Sequence, residues 1–180
     1  MTYYRRRLPH WFPPGKDVFI TWRLRGSLPR QVPPPQTKAS PGAAFVHYDR
    51  ILDRAHAGPL WLKDPRVAEC VLAALSEAHC RQKCQLAAYV LMANHVHVLL
   101  APIEPLETLI QQIKGATARR ANVILSRTGR RFWQDESFDH WVRNPAEWQK
   151  IKSYIEGNPV TAGLVSRPED WPWSSASRPI

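Results

Sequence analysis

Apolar residues fall along this chain in blocks whose periodicity changes from one block to the next. Asp17 to Leu24 is β-branched and aromatic and runs into turn chemistry at Arg25-Gly26, which predicts a first strand. Residues 27–43 are Pro, Gln, Ser and Thr-rich, with Pro33-Pro34-Pro35, and predict a flexible loop. Tyr48 to Ala57 and Pro65 to Lys83 return to helical spacing, most clearly at Val67, Val71, Leu72 and Leu75. Asp64 is placed to cap the second helix, with Pro65 at its first position. Two apolar strands then meet at Ala93-Asn94. Pro105 to about Ser126 predicts an amphipathic helix with Leu106, Leu109, Ile110 and Ile113 on one face.

Arg130 to Val142 is aromatic-rich and reads as a last strand with its approach loop. A helix opens at Pro145, runs through Tyr154 and is expected to stop near Gly157-Asn158-Pro159, because a residue preceding proline avoids helical geometry. The order strand, helices, strand, strand, helix, strand, helix predicts an α+β fold. It is a split βαβ antiparallel sheet with helices on one face, plus an extra terminal helix. Residues 1–16 read as a basic, proline-rich arm, 17–166 as the folded body and 167–180 as an extended tail packed by Trp171 and Trp173.

Composition adds a partner class to this outline. The 180 residues include 25 Lys and Arg against 15 Asp and Glu, a formal net charge of +10. Such an excess favours a polyanion through phosphate contact and counterion release. Arg predominates over Lys, and its planar fork suits phosphate oxygens and base faces. Arg5, Arg6, Arg7, Lys114, Arg119, Arg120 and Arg131 are candidate DNA contacts. Trp133 and His140 join them, as an aromatic for unpaired bases and a polar neighbour of the last strand. Cys70, Cys80 and Cys84 are read as free thiols of a reducing cytoplasm, His79 supplying too few partners for a zinc site. No apolar run approaches the roughly 20 residues of a spanning helix, so a cytoplasmic, nucleoid-associated protein is expected.

The sharpest chemical signal is His95-Val96-His97 at the start of the second of the two adjoining strands. Successive strand side chains point to opposite faces, so the two imidazoles share one face and Val96 takes the other. That pair can ligate a divalent cation with open positions for a phosphate oxygen. Tyr154 and Asn158 are four residues apart and share a helix face. Packed over the histidines, that helix would bring Asn158 in as a third ligand and set Tyr154, as nucleophile, beside a metal-bound phosphate. A water-attacking metallohydrolase and a non-cleaving nucleic-acid-binding regulator remain alternatives at this point.

Three blocks together carry a family resemblance: Met92 to Leu100, Phe132 to His140, and Tyr154 to Val165. In this order they resemble the REP-associated tyrosine transposases of bacteria. The resemblance implies a ferredoxin-like HUH nuclease fold in which His95 and His97 bind Mg or Mn with Asn158, and Tyr154 is the nucleophile. It implies single-stranded DNA bearing REP-like hairpins as substrate, a 5′-phosphotyrosine intermediate, and a monomer or homodimer. The chain departs from the pattern in carrying Ala93 where many relatives have proline, Gly157 in the nucleophile helix, and a long proline-rich loop.

Overall fold

The computed structural model describes residues 4–5, 9–10, 15–28, 41–54 and 58–179. Two short strands, β1 (Tyr4–Arg5) and β2 (Pro9–His10), pair antiparallel in the arm, where the proline content predicts no regular element. The main sheet is built from β3 (Val18–Arg23), β4 (Cys84–Leu91), β5 (His95–Pro102) and β6 (Phe138–Trp141), in the order β4-β5-β3-β6 with every neighbouring pair antiparallel. The two long connections each cross one intervening strand, so the sheet has the ferredoxin-like split βαβ arrangement expected from the order of elements.

The side-chain alternation of β3 and β5 divides the interior in two. Val18, Ile20 and Trp22 with Val96, Val98 and Leu100 point toward α2 (Pro65–Cys80) and α3 (Leu106–Ile124). Phe19 and Leu99 point the other way, toward α4 (Pro145–Thr161), where Val142 and Ile155 complete a second apolar cluster. In β4 the register shifts between Leu86 and Ala88. This bulge re-phases the strand, so that Leu86 and Tyr89 face α2 while Ala88 and Val90 face α4. Since β5 alternates without interruption, His95 and His97 stand on the α4 side.

Helix boundaries follow local chemistry in α2, whose N-cap Asp64 accepts from the Arg66 amide at 2.9 Å. The α4 helix starts with a reciprocal cap: Asn144 accepts from the Glu147 amide at 2.9 Å, and Glu147 accepts from the Arg143 amide at 2.7 Å. Its far end overturns the expected stop. The helix continues through Pro159 to Thr161, and Asn158 and Pro159 are both buried. Burial of these residues against the sheet outweighs the local bias of a pre-proline residue away from helix, and the Ile155 carbonyl forgoes its donor four residues on.

The first helix, α1 (Pro41–Asp53), begins seven residues before the expected Tyr48 and so takes in the end of the predicted loop. Residues 29–40 and 55–57 lie outside the described set. After α4, a single 3-10 turn at Pro168–Asp170 leads to a tail laid along β4. The Leu91 amide donates to Trp173 O at 2.8 Å and the Ser175 amide to Tyr89 O at 2.9 Å. No described helix is long and apolar enough to cross a membrane.

Two glycines make opposite demands on the backbone. A Cβ on Gly58, whose φ is +78°, would lie 2.1 Å from the Gly26 carbonyl oxygen. Gly157, inside α4, has nothing within 4 Å of the same position. Gly58→Ala should therefore lose more than about 2 kcal/mol, the left-handed conformation alone costing ~1–2 kcal/mol. Gly157→Ala should gain about 0.5–1 kcal/mol. Shifts of the urea midpoint in opposite directions would check both.

Candidate metal centre and nucleophile

The site is assembled at the bend between β4 and β5. The bend is closed by the Met92 amide donating to His95 O at 2.9 Å and by the Leu24 amide donating to Asn94 O at 2.8 Å. Asn94 itself is buried and fully used: Nδ2 donates to Leu52 O of α1 at 3.0 Å, while Oδ1 faces His95 Nδ1 at 2.7 Å. An amide oxygen accepts only, so His95 Nδ1 carries the proton and Nε2 presents a lone pair. His97 Nδ1 lies 2.6 Å from the hydroxyl of Thr21, its register partner on β3. With Nδ1 donating there, its Nε2 is likewise free to bind a cation.

The two Nε2 atoms converge to 3.1 Å, and both imidazoles are fully buried. Asp49 of α1, 1% exposed, completes the cluster: Oδ1 lies 3.2 Å from His97 Nε2 and 3.6 Å from His95 Nε2. The three ligand atoms lie within 4.8 Å of one another. From α4, the Tyr154 hydroxyl donates to Asp49 Oδ2. The Asn158 carboxamide nitrogen is 3.4 Å from that oxygen and 3.4 Å from His97 Nε2.

Two buried oxygens in this cluster, Asp49 Oδ1 and Asn158 Oδ1, have no hydrogen-bond partner. Each of these oxygens keeps lone pairs that no donor meets, and a divalent cation would satisfy them. A set of two imidazoles and a carboxylate suits such an ion. Half a turn of the Asn158 carboxamide would present its unpartnered oxygen as well.

The electrostatics point the same way. Burial, with the neighbouring His97 imidazole, pushes His95 down to about 3, so it stays neutral at physiological pH and keeps its lone pair. Burial works to raise Asp49, but positive charge at the facing imidazoles, His97 first, with the Tyr154 hydroxyl, outweighs it, so this carboxyl is held below the usual range when a cation, proton or metal, sits at that point. Burial and then the Asp49 charge push Asp53, one turn further along α1, up to about 7. Burial and Asp49 also drive Tyr154 far above its ordinary value. The Asp49 charge thus makes a second negative charge nearby costly, and a phenolate at Tyr154 would need a cation.

The ring of Tyr154 is held edge-on by Phe19 and Phe45, with centroids at 6.2 and 6.1 Å. Phe45 in turn stacks on Phe138 of β6 at 4.3 Å. The structure therefore brings His95, His97, Tyr154 and Asn158 together, and adds Asp49, which the sequence reasoning missed. Its signal was there to find. Phe45, Asp49 and Leu52 fall on one stripe of α1, and a carboxylate in an otherwise apolar stripe is a buried charge that needs a partner.

The other predicted contacts lie apart from this cluster. Trp133 is only 5% exposed, packs edge-on against Trp22 and donates its Nε1 to Thr117 Oγ1 at 2.9 Å, which corrects its assignment as a stacking surface for bases. The apolar block that suggested stacking is core. Lys114 donates to the carbonyls of Gln134 and Asp135, at 2.7 and 3.0 Å, and so pins the approach loop. Arg131 pairs with Asp135 at 3.1 Å. His140 faces Glu147 Oε1 at 3.0 Å and ties β6 to the start of α4. Arg119 and Arg120 are exposed on α3, across the sheet from the histidines. Arg5 lends backbone to β1, and Arg6 and Arg7 lie outside the described residues.

A ferredoxin-like sheet thus carries a histidine pair on one strand and faces a helix tyrosine, with a candidate metal site between them. The family model for IS200-like transposases matches residues 60–158 of the chain, more than half its length, and the chain belongs to that family. The matched segment contains His95, His97, Tyr154 and Asn158, whereas Asp49 precedes it.

Among solved structures, the fold is similar to that of a REP-associated tyrosine transposase bound to a REP hairpin. That likeness has a TM-score of 0.64 and 19% identity over 99% of this chain and 84% of that one. A putative transposase from Deinococcus radiodurans has a TM-score of 0.46 at 16% identity, over 85% of this chain and 98% of that one. No curated protein matches the sequence.

The hydrogen bond at the rear nitrogen of each histidine has a measurable role. Thr21→Val keeps the β-branched shape on β3 but removes the acceptor for His97 Nδ1. Cation affinity should fall about 10- to 100-fold with the fold intact, as read by calorimetric titration with Mn(II). An unchanged affinity would show that Thr21 does not fix the imidazole.

Proposed function

We propose that this chain is a divalent-metal-dependent enzyme that nicks and rejoins single-stranded DNA carrying hairpins, with Tyr154 as its nucleophile. The observation that carries the reading is the Tyr154 hydroxyl hydrogen-bonded to an oxygen of the Asp49 carboxylate, whose other oxygen faces both histidine Nε2 atoms. His95, His97 and Asp49, with the Asn158 carboxamide, would hold Mg or Mn. When bound, the ion supplies positive charge to a scissile phosphate and lowers the cost of forming a phenolate.

The chain's own residues account for the remaining steps. Asp49 Oδ2 accepts the phenolic proton as the tyrosine oxygen attacks phosphorus. The bond to the 3′ oxygen breaks, that oxygen leaves as a hydroxyl after taking a proton from water, and the 5′ phosphate stays on Tyr154. A 3′ hydroxyl attacking this phosphotyrosine reverses the step and joins strands, because the phosphoester bond has been exchanged rather than hydrolysed. Phe19 and Phe45 hold the ring in line.

The net charge of +10 supports a nucleic-acid partner. A fold shared with a protein bound to a REP hairpin supports hairpin-bearing DNA in particular.

Incubation with Mn(II) and a labelled hairpin oligonucleotide should yield a covalent protein–DNA adduct in the native chain. Tyr154→Phe should lose the adduct and any cleavage, by at least about 10³-fold, while retaining hairpin binding. Cleavage persisting in Tyr154→Phe would identify water as the attacker. Binding without an adduct in the native chain, unchanged on metal removal, would identify a non-cleaving regulator.

A further inference from the structure

One half-buried carboxylate beside the cluster has no place in the reaction just described. Asp53 lies four residues after Asp49 on α1, so both carboxylates project from the same face of the helix. Its Oδ1 is 3.6 Å from His95 Nε2, the same distance as Asp49 Oδ1. That Oδ1 is buried and no donor reaches it.

We propose that Asp53 is a further ligand of the same cation, so that α1 supplies a carboxylate pair to oppose the imidazole pair of β5. This inference rests on the reading of the cluster as a metal site.

The argument turns on which atoms can carry a proton. His95 Nδ1 is committed as donor to Asn94 Oδ1 at 2.7 Å, so the Nε2 that faces Asp53 is a lone pair. When Asp53 is ionised, its oxygen facing an imidazole lone pair across 3.6 Å makes an unfavourable contact between two acceptors. A shared ion turns it into a favourable one. Ligand atoms bound at about 2.0–2.2 Å to one ion sit roughly 3–3.6 Å apart as neighbours in tetrahedral or octahedral geometry. The separations among Asp49, His95 and His97, 3.1, 3.2 and 3.6 Å, fall in that range, as does the 3.6 Å from Asp53 to His95; the first three ligand atoms lie within 4.8 Å of one another, and a rotation of the Asp53 side chain toward them would bring in the fourth.

The turn that carries Asp53 is also fixed to the metal strand. The Leu52 carbonyl, one residue earlier, accepts from Asn94 Nδ2 at 3.0 Å, and Asn94 also sets the His95 tautomer. Asn94 thus aligns one ligand from each element. Two carboxylates neutralise a divalent charge that one would only halve, and oxygen donors in that number suit Mg or Mn better than a softer ion. Such a site retains its ion without help from a DNA phosphate.

Mn(II) binding to the metal-free full-length chain, read from loss of the free aqua-ion EPR signal, tests this without any reaction. Asp53→Asn should weaken Mn(II) affinity at least about tenfold. It should leave the melting temperature in chelator unchanged or raised, because an unpaired buried carboxylate has been removed. Affinity equal to that of the native chain overturns the proposal, as does a lowered melting temperature in chelator with affinity unchanged. His97→Ala separates the two readings: if the native chain binds Mn(II) no better than this variant, the metal site itself is wrong and Asp53 falls with it. Should Asp53→Asn fold poorly, Asp53→Cys gives an independent signature. Added Cd(II) should produce a thiolate-to-metal absorption band beyond that of the native chain, and no additional band overturns the proposal.

Discussion

Two imidazoles set nitrogen to nitrogen, 3.1 Å apart in a fully buried position, impose a condition on everything around them. Each must be turned by a group behind it, and a cation held between them would need further ligands in front. Asn94 and Thr21 meet the first requirement from the strand bend and the neighbouring strand. The unbroken alternation of β5 makes it possible, since Val96 and Val98 anchor one face in the α2 and α3 layer while the histidines are presented to the other. The second requirement gathers Asp49 from α1 and Asn158 from α4 around the same point. The arrangement of helices on the histidine face is thus tied to the electrostatics of two ring nitrogens.

Much of this was legible in the sequence, for identifiable reasons. The sheet order followed from apolar strands and helices whose periodicities differ, and from Asp64-Pro65 marking a helix start. The histidine pair, Tyr154 and Asn158 were legible because period 2 and period 3.6 fix which side chains share a face. Asp49 was not, because α1 follows a proline-rich stretch and its start was placed at Tyr48, where too little of the apolar stripe remains for a misplaced carboxylate to stand out. The stop expected at Asn158 failed because a local preference was weighed without the burial that opposes it. Trp133 was misjudged for a related reason: an aromatic block looks the same in sequence whether its rings face a base or the interior, and here Thr117 provides the hydrogen-bond partner that lets the indole be buried.

The route of α4 through Pro159 is part of the site rather than an irregularity beside it. Ending the helix at Gly157 would leave Asn158 on a loop, free of the register that sets it one turn beyond Tyr154. Continuing it keeps both groups on one rigid face, and the amides of Ala162, Gly163 and Leu164 donate to Asn158, Val160 and Pro159 carbonyls to close the helix. The tail then adds support from the opposite side, where the Ser175 hydroxyl donates to Glu156 Oε1 at 2.9 Å while its amide is paired to β4. The helix that carries Tyr154 is thereby fastened to the sheet through the strand next to the histidines.

The depth of the cluster also separates two kinds of electrostatics within one molecule. His95, His97, Asp49 and Asn158 are all within 2% of complete burial, whereas Arg119, Arg120 and Arg131 lie in solvent. Mobile ions screen charges at the surface over about 8 Å at physiological ionic strength but hardly penetrate a packed interior. Raising salt therefore weakens the field of the surface arginines long before it disturbs the electrostatics of the buried cluster. Ionic strength thus acts on the charged surface and leaves the buried cluster untouched.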